Sequence, residues 1–172
     1  MGKFIEEFYY GNIDPQEIVD AVDSKTALVT IIHVNNETGA VIDIKSVCEK
    51  IKAKNKRTTV HIDATQSFMK LPFDVSKIQC DSMAFSGHKI YAPKGVGGLY
   101  LKKGTNIKTV MAGGGQEKGL RAGTENIHYI LGFAKACQLL QPDMRRNLAK
   151  FAQLKTQLLN GLAQFDNVVI NS

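Results

Sequence analysis

Apolar residues in the stretch TALVTIIHV, residues 26–34, run almost without interruption, and most of the stretch is β-branched. A run of this kind predicts a strand buried on both faces. Shorter runs of the same character, TTVHIDA at 58–64, CDSMAFS at 80–86 and GGLYL at 97–101, predict three more strands. Between the first two lies DIKSVCEKIKAKNK, which starts at Asp43 and puts apolar residues at 44, 47, 48 and 51, the spacing of an amphipathic helix. Ahead of them, GNIDPQEIVDAV opens on a glycine turn, with Asp14 placed to cap a helix whose first position is Pro15. The first residues, FIEEFYYGNID, read as a strand running into that turn. Strand, helix and strand alternate at a spacing that implies α/β architecture with a mostly parallel sheet.

The pattern changes near residue 125. NIHYILGFAKACQLL, residues 126–140, predicts one helix, interrupted by Pro142. Asp143 is placed to cap a longer helix with Met144, Leu148, Phe151, Leu154, Leu158 and Leu162 on one stripe. The closing VVIN suggests the start of a further strand. Two parts are therefore expected, residues 1–125 as an α/β core and residues 126–172 as helices leading away from it.

Composition narrows the function classes. A hydrophobic fraction of 44% with 22% charged residues is that of an ordinary globular protein. No apolar run approaches the roughly 20 residues of a membrane helix, and Glu6 and Glu7 interrupt what would be the apolar core of a secretory signal. No membrane association is expected. The net charge of +6 would suit nucleic acid, but the lysines are scattered. Their one dense run, KIKAKNKR at 50–57, sits where a helix ends and reads as a solvated face, so no nucleic-acid partner is expected. Cys48, Cys80 and Cys137 form no CxxC pair, and their odd number points to reduced thiols, in the cytoplasm or a reducing organelle interior. Each reads as a small packed hydrophobe.

In an open α/β sheet, chemistry gathers at the carboxyl ends of strands. Here those ends carry HVNNETG with Asn35, Asn36 and Glu37, then DATQS with Asp63, Thr65, Gln66 and Ser67, then SGHK with Ser86, His88 and Lys89. No serine sits in a GxSxG elbow, the histidines lack zinc spacing, and GGGQEKG lacks the GK[ST] of a P-loop. A lysine, an aspartate, an amide, hydroxyls and a histidine remain. Those are the parts of a pyridoxal phosphate site: an amine for a Schiff base, a carboxylate for the pyridinium nitrogen, and hydroxyl, imidazole and backbone donors for the phosphate. More ordinary readings stand beside these. Asp63 also reads as a cap for the next helix and His88 as a structural histidine. His33 and His61 read as packing residues. Glu37, Glu117 and Arg121 read as loop ties, and Lys94 as a turn lysine.

Four segments in order, HVNNETG, HIDATQS, FSGHKIYAPKGVGGLYL and GGGQEKGLRAGTEN, resemble the class V aminotransferase family of fold type I pyridoxal phosphate enzymes. Within it the chain is similar to the NifS/IscS-type cysteine desulfurases, and NNETG with RAGTEN favours that branch over the SufS-like one. The resemblance runs from about Gly11 to the last helix, with Ala92 standing where the family commonly has glycine. It implies part of the large domain of the fold type I transferase fold, a mostly parallel sheet flanked by helices, followed by helices toward a small domain.

The same resemblance implies the roles. Lys89 would carry the cofactor as a Schiff base and shuttle the proton. Asp63 would face the pyridine nitrogen. Gln66 and Asn36 would meet the ring's phenolic oxygen or the substrate, and Ser86 and His88 would bind the phosphate. Thr124 would reach the phosphate of a second subunit, making a homodimer functional. The implied substrate is L-cysteine, converted to L-alanine with the sulfur passed to an enzyme cysteine as a persulfide. A sulfur-acceptor or scaffold protein of iron–sulfur cluster assembly is the implied further partner. The family's ring-stacking group, carboxylate-binding arginine and catalytic cysteine have no match, so the chain reads as a cofactor-binding core truncated at both ends. The alternative is a non-catalytic relative that binds pyridoxal phosphate or a partner protein.

Overall fold

A computed structural model describes residues 2–3, 13–109 and 111–170. The expected strand within residues 4–12 lies outside the described residues. Helix α1 spans Pro15–Asp20, with Asp14 Oδ1 accepting from the Gln16 N–H at 2.8 Å and Pro15 at the first position, as the sequence predicts. Strand β1 is Leu28–Ile32, α2 Ile44–Lys54, β2 Thr59–Asp63, β3 Ser82–Ser86 and β4 Gly97–Leu101. Helices α3, Ile127–Leu140, and α4, Met144–Leu162, follow.

The strands form one sheet in the order β1-β2-β3-β4. The first three run parallel, and β4 is antiparallel to β3. Register pairs Ile32 with Asp63 and Asp63 with Ala84, so the carboxyl ends of β1, β2 and β3 lie along one edge.

Alternation divides the sheet into two faces. Val29, Ile31, Val60, Ile62 and Met83 point to the face covered by α1 and α2, where Val47, Cys48 and Ile51 complete the core. Ile51, Val60 and Ile62 are fully buried, each contributing roughly 1.5–3 kcal/mol of burial. Phe85 shares the Met83 face and stacks on Phe68 at 4.2 Å between ring centroids, with Phe133 of α3 6.1 Å away. Phe85 explains the GG of GGLYL: a Cβ on Gly98, its register partner, would run into the phenyl ring, and one on Gly97 would meet the Phe85 carbonyl oxygen at 2.6 Å.

Several expectations need correction. Strand β1 is not buried on both faces, since Leu28 is 58% and Ile32 47% exposed. Among the described residues it is an edge strand, and its second face has no cover. The lysine run at the end of α2 is largely the solvated face expected, with Lys50, Lys54, Lys56 and Arg57 exposed, but two of its amines also make tertiary contacts. Lys54 Nζ donates to the carbonyls of Val19 and Asp20 at 2.9 and 3.1 Å, tying α2 to the end of α1. Lys52 pairs with Asp81 at 2.5 Å and donates to the Thr58 carbonyl at 2.7 Å. Asp81 Oδ2 also accepts from the Val60 N–H at 2.7 Å, so this pair fastens α2 to two strands.

Asp143 does not cap α4 with its side chain. Residues Gln141–Asp143 form a tight turn joining α3 to α4, and Asp143 keeps helical dihedrals where a side-chain cap needs extended ones. Its carboxylate pairs instead with Arg146 at 2.7 Å. Pro142 does interrupt the helix, within that turn. Residues 168–170 form no strand, and Asn171 lies outside the described residues.

Candidate active site

Three loops leave the carboxyl edge of the sheet, and each is shaped by its own residues. After β1, NNETG closes as a tight turn. Asn35 Oδ1 accepts from the N–H groups of Glu37 and Thr38 at 2.7 and 3.0 Å, and Gly39 takes φ +77°. Asn35 is therefore a turn-forming residue, while Asn36 stands exposed at the tip.

After β2, the chain folds back at once. The N–H groups of Ser67 and Phe68 both donate to the Ala64 carbonyl, and Ser67 is fully buried. Asp63 is half-buried. Its Oδ1 accepts from the Thr65 N–H at 2.8 Å, so it caps a turn, not the helix that the plainer reading of the sequence expects at this point. Oδ2 takes no hydrogen bond among the described residues, which leaves one carboxylate oxygen for a ligand. Gln66 is half-buried, and its Oε1 accepts from Lys70 Nζ at 3.3 Å.

After β3, Gly87–Ile90 forms a single tight helical turn. Ile90 is fully buried and anchors it. Gly87 is required, because a Cβ there would come within 2.9 Å of the Val96 carbonyl. The turn ends on Tyr91 in the left-handed conformation, φ +67°. Ser86 Oγ and His88 Nδ1 lie 2.8 Å apart. Lys89 is half-buried and has no hydrogen bond or ion pair among the described residues. An amine so placed is available to a carbonyl ligand.

Asp63, Gln66, Ser86, His88 and Lys89 are thus brought to one edge by β2 and β3, with Asn36 on the neighbouring turn. Thr124 is different. It is exposed ahead of α3, and no hydrogen bond or ion pair among the described residues ties it to this group.

Lys70 is the residue that reading strand ends overlooks. Burial, and then the nearby charge of Lys89, lower its pKa from the ordinary lysine value. The signal lay in its position four residues after Gln66. On the open sheet face, His61 Nδ1 and the buried Ser82 Oγ also pair at 2.7 Å.

The three thiols are of another kind. Burial pushes the Cys48 thiol up to about 12, and raises those of Cys80 and Cys137. A thiol with raised pKa is a poor nucleophile.

The groups at the carboxyl edge suit pyridoxal phosphate: an amine and a carboxylate oxygen that have no partner among the described residues, and a paired hydroxyl and imidazole. The aminotransferase class-V family matches residues 3–172. The cysteine desulfurase IscS of Salmonella paratyphi C (strain RKS4594) is 42% identical over 163 residues, which are 94% of this chain and 40% of the relative. A solved NifS-like protein superposes with a TM-score of 0.87 at 37% identity, covering 95% of this chain and 45% of its own. A NifS-like protein from Rickettsia africae ESF-5 gives 0.83 at 30% identity, covering 95% and 46%. SspA, solved in complex with cysteine, gives 0.69 at 40% identity, covering 75% and 37%. The chain spans about 40% of the length of the curated relatives it matches. With the family match running through nearly every residue, this chain belongs to the class-V aminotransferases.

Proposed function

We propose that the chain is the pyridoxal-phosphate-binding core of a cysteine desulfurase. The observation that carries this reading is the meeting, at one sheet edge, of an unpaired half-buried Lys89 and an Asp63 with one carboxylate oxygen unengaged. The relatives named above supply the substrate class, since they include cysteine desulfurases and a protein solved with cysteine. The whole protein's reaction would take sulfur from L-cysteine, leave L-alanine and place the sulfur on an enzyme cysteine as a persulfide. The sulfur would pass on to an acceptor or scaffold protein of iron–sulfur cluster assembly.

When bound, pyridoxal phosphate supplies an electron sink conjugated to the substrate's α-carbon. The remaining work falls to this chain's side chains. Lys89 would hold the cofactor through its amine and would move the proton at the substrate's α-carbon. Asp63 Oδ2 holds the proton on the ring nitrogen. Ser86 and His88 bind the phosphate through hydroxyl and imidazole donors. Gln66, with Asn36 beside it, addresses the ring oxygen or the substrate. Thr124 reaches the phosphate held by a second copy, which makes the homodimer the working unit. Residues 1–125 belong to the cofactor-binding domain, and 126–172 lead toward a smaller one.

The three thiols, all with raised pKa and two of them (Cys48 and Cys80) buried while Cys137 is only partly so, favour a second reading, in which the chain holds the cofactor and moves no sulfur. Two readouts on the protein reconstituted with pyridoxal phosphate separate the two. Adding L-cysteine is expected to change the visible absorption, and Lys89→Ala to abolish that change. An unmoved spectrum would overturn the desulfurase reading. Sulfide assayed with a reductant should be insensitive to Cys48→Ser, Cys80→Ser and Cys137→Ser. Turnover lost with one of them would identify that thiol as the sulfur acceptor.

A further inference from the structure

We propose that Lys70 is a positioning residue of this site, which fixes the orientation of the Gln66 amide so that its NH2 end is presented to an acceptor oxygen of the ligand. The inference rests on the reading of the carboxyl edge as a pyridoxal phosphate site.

The argument starts from chemistry that has one solution. A primary amide has a donor end and an acceptor end of nearly equal size. A lysine ammonium has three donors and no acceptor. Only the carbonyl end of Gln66 can therefore face Lys70, and Lys70 Nζ lies 3.3 Å from Gln66 Oε1. The NH2 end must then point away from Lys70.

Local backbone holds the pair together. Gln66 and Lys70 flank a fold-back whose N–H groups from Ser67 and Phe68 share the Ala64 carbonyl, and whose Lys70 N–H donates to the Ser67 carbonyl at 3.0 Å. Met69, directly before Lys70, sits at φ +57°, a conformation costly for a side chain with a Cβ. That kink helps bring position 70 back toward position 66. Phe68 between them is clamped on Phe85. Lys70 is also half-buried, and Lys89 is close enough for its charge to act on it. Lysine at this position accepts both desolvation and a like charge nearby, and the contact that compensates is the one to Gln66.

The consequence is specificity for the ligand's ring oxygen. An NH2 end facing the ligand favours a phenolate or other acceptor and disfavours a ligand lacking one. Without Lys70 the amide is free to flip, and that preference fades.

The test uses the full chain and two independent readouts. In the cofactor-free protein, the Gln66 side-chain NH2 resonances, assigned through Gln66→Glu, report amide order by heteronuclear NOE. They should be ordered in the wild type and in Lys70→Arg, which also only donates, and disordered in Lys70→Met. Equal order in all three proteins, each with a dispersed backbone spectrum, overturns the proposal. In the second readout, wild type and Lys70→Arg should bind pyridoxal phosphate more tightly than an analogue whose ring hydroxyl is methylated. Lys70→Met should narrow that preference by about fivefold, the worth of one ordinary hydrogen bond. A preference unchanged in Lys70→Met also overturns it. If the wild type binds neither ligand, the cofactor reading above fails, and the amide order still decides the case for Lys70. Should Lys70→Met not fold, Lys70→Gln takes its place, since glutamine offers an acceptor as well as a donor and should release the orientation.

Discussion

Two regions of this chain carry strong apolar periodicity, and only one of them is buried. In the stretch from α1 to β4, Ile51, Val60, Ile62 and Ile90 are fully buried. In α4 the stripe is equally regular, yet Phe151, Leu154 and Leu158 are 54%, 50% and 61% exposed. Neither α3 nor α4 has a buried residue. Periodicity specifies that a helix will form and which side is apolar. It does not specify the mate, and among the described residues nothing covers that stripe. The site belongs to the first region, where parallel strands set its side chains on a rigid edge.

Core truncation is the most forceful way to break this comparison. Ile51→Ala should cost about 3 kcal/mol, whereas Leu158→Ala should change stability by less than about 0.5 kcal/mol. Urea unfolding of both variants measures the gap. Comparable losses would mean that the α4 stripe is buried in solution.

The Lys52–Asp81 pair comes next. Both side chains are largely buried, and Asp81 also accepts from the Val60 N–H. Asp81→Ala leaves the Lys52 charge without its counterion and the Val60 N–H without its acceptor, and should cost about 2 kcal/mol. Asp74→Ala, at an exposed turn where Ser76 hydrogen bonds hold the carboxylate below its usual pKa, is the control and should cost clearly less.

A smaller effect should come from His33. It is buried, its Nδ1 has no hydrogen-bond partner among the described residues, and its ring meets Phe73 edge-on at 5.5 Å. Burial lowers its pKa from the ordinary 6.5, with the Asp43 carboxylate opposing. The unfolded chain therefore takes up a proton at higher pH than the folded one. Stability should be full above about pH 6.5 and should fall as the pH drops from there toward the lowered folded value. Thermal unfolding followed from pH 7.5 to 5 measures this, with roughly neutral-pH stability as the reference. His33→Phe should flatten that dependence, and an unchanged slope would assign it to other groups.

How much of this was legible in the sequence differs from residue to residue. The strand GGLYL is found at the bounds the sequence predicts, because its glycines and apolar residues answer to local rules. The Asp14 cap is likewise local, accepting from the Gln16 N–H in its own first turn. The carboxyl-edge cluster was legible because parallel topology forces strand ends together, and the family resemblance supplied the roles. Tertiary contacts were not legible. The carbonyls that Lys54 satisfies lie 34 and 35 positions away, and Lys52 meets Asp81 across 29 positions. Lys70 escaped notice because attention to strand ends stops at Ser67, before the fold-back that returns the lysine to Gln66. The openness of β1 escaped notice because a run of apolar residues records capacity for burial on both faces, while burial itself depends on what covers them.

The finest comparison is between two aspartates, and it should give a spectroscopic effect with little change in stability. In a pyridoxal phosphate titration, Asp63→Asn should shift the cofactor's absorption, since an amide does not hold the ring nitrogen's proton as a carboxylate does. Asp74→Asn should leave it unmoved. Equal shifts would remove Asp63 from the role assigned to it.

The central claim is that the carboxyl edge of the sheet presents Lys89 as the amine that takes pyridoxal phosphate. Its most direct test is to incubate the protein with the cofactor, reduce with borohydride, digest, and locate the pyridoxyl group by mass spectrometry. The account predicts an adduct on Lys89 that is absent from Lys89→Ala. An adduct confined to Lys70, Lys94 or other lysines, with Lys89 unmodified, would contradict it.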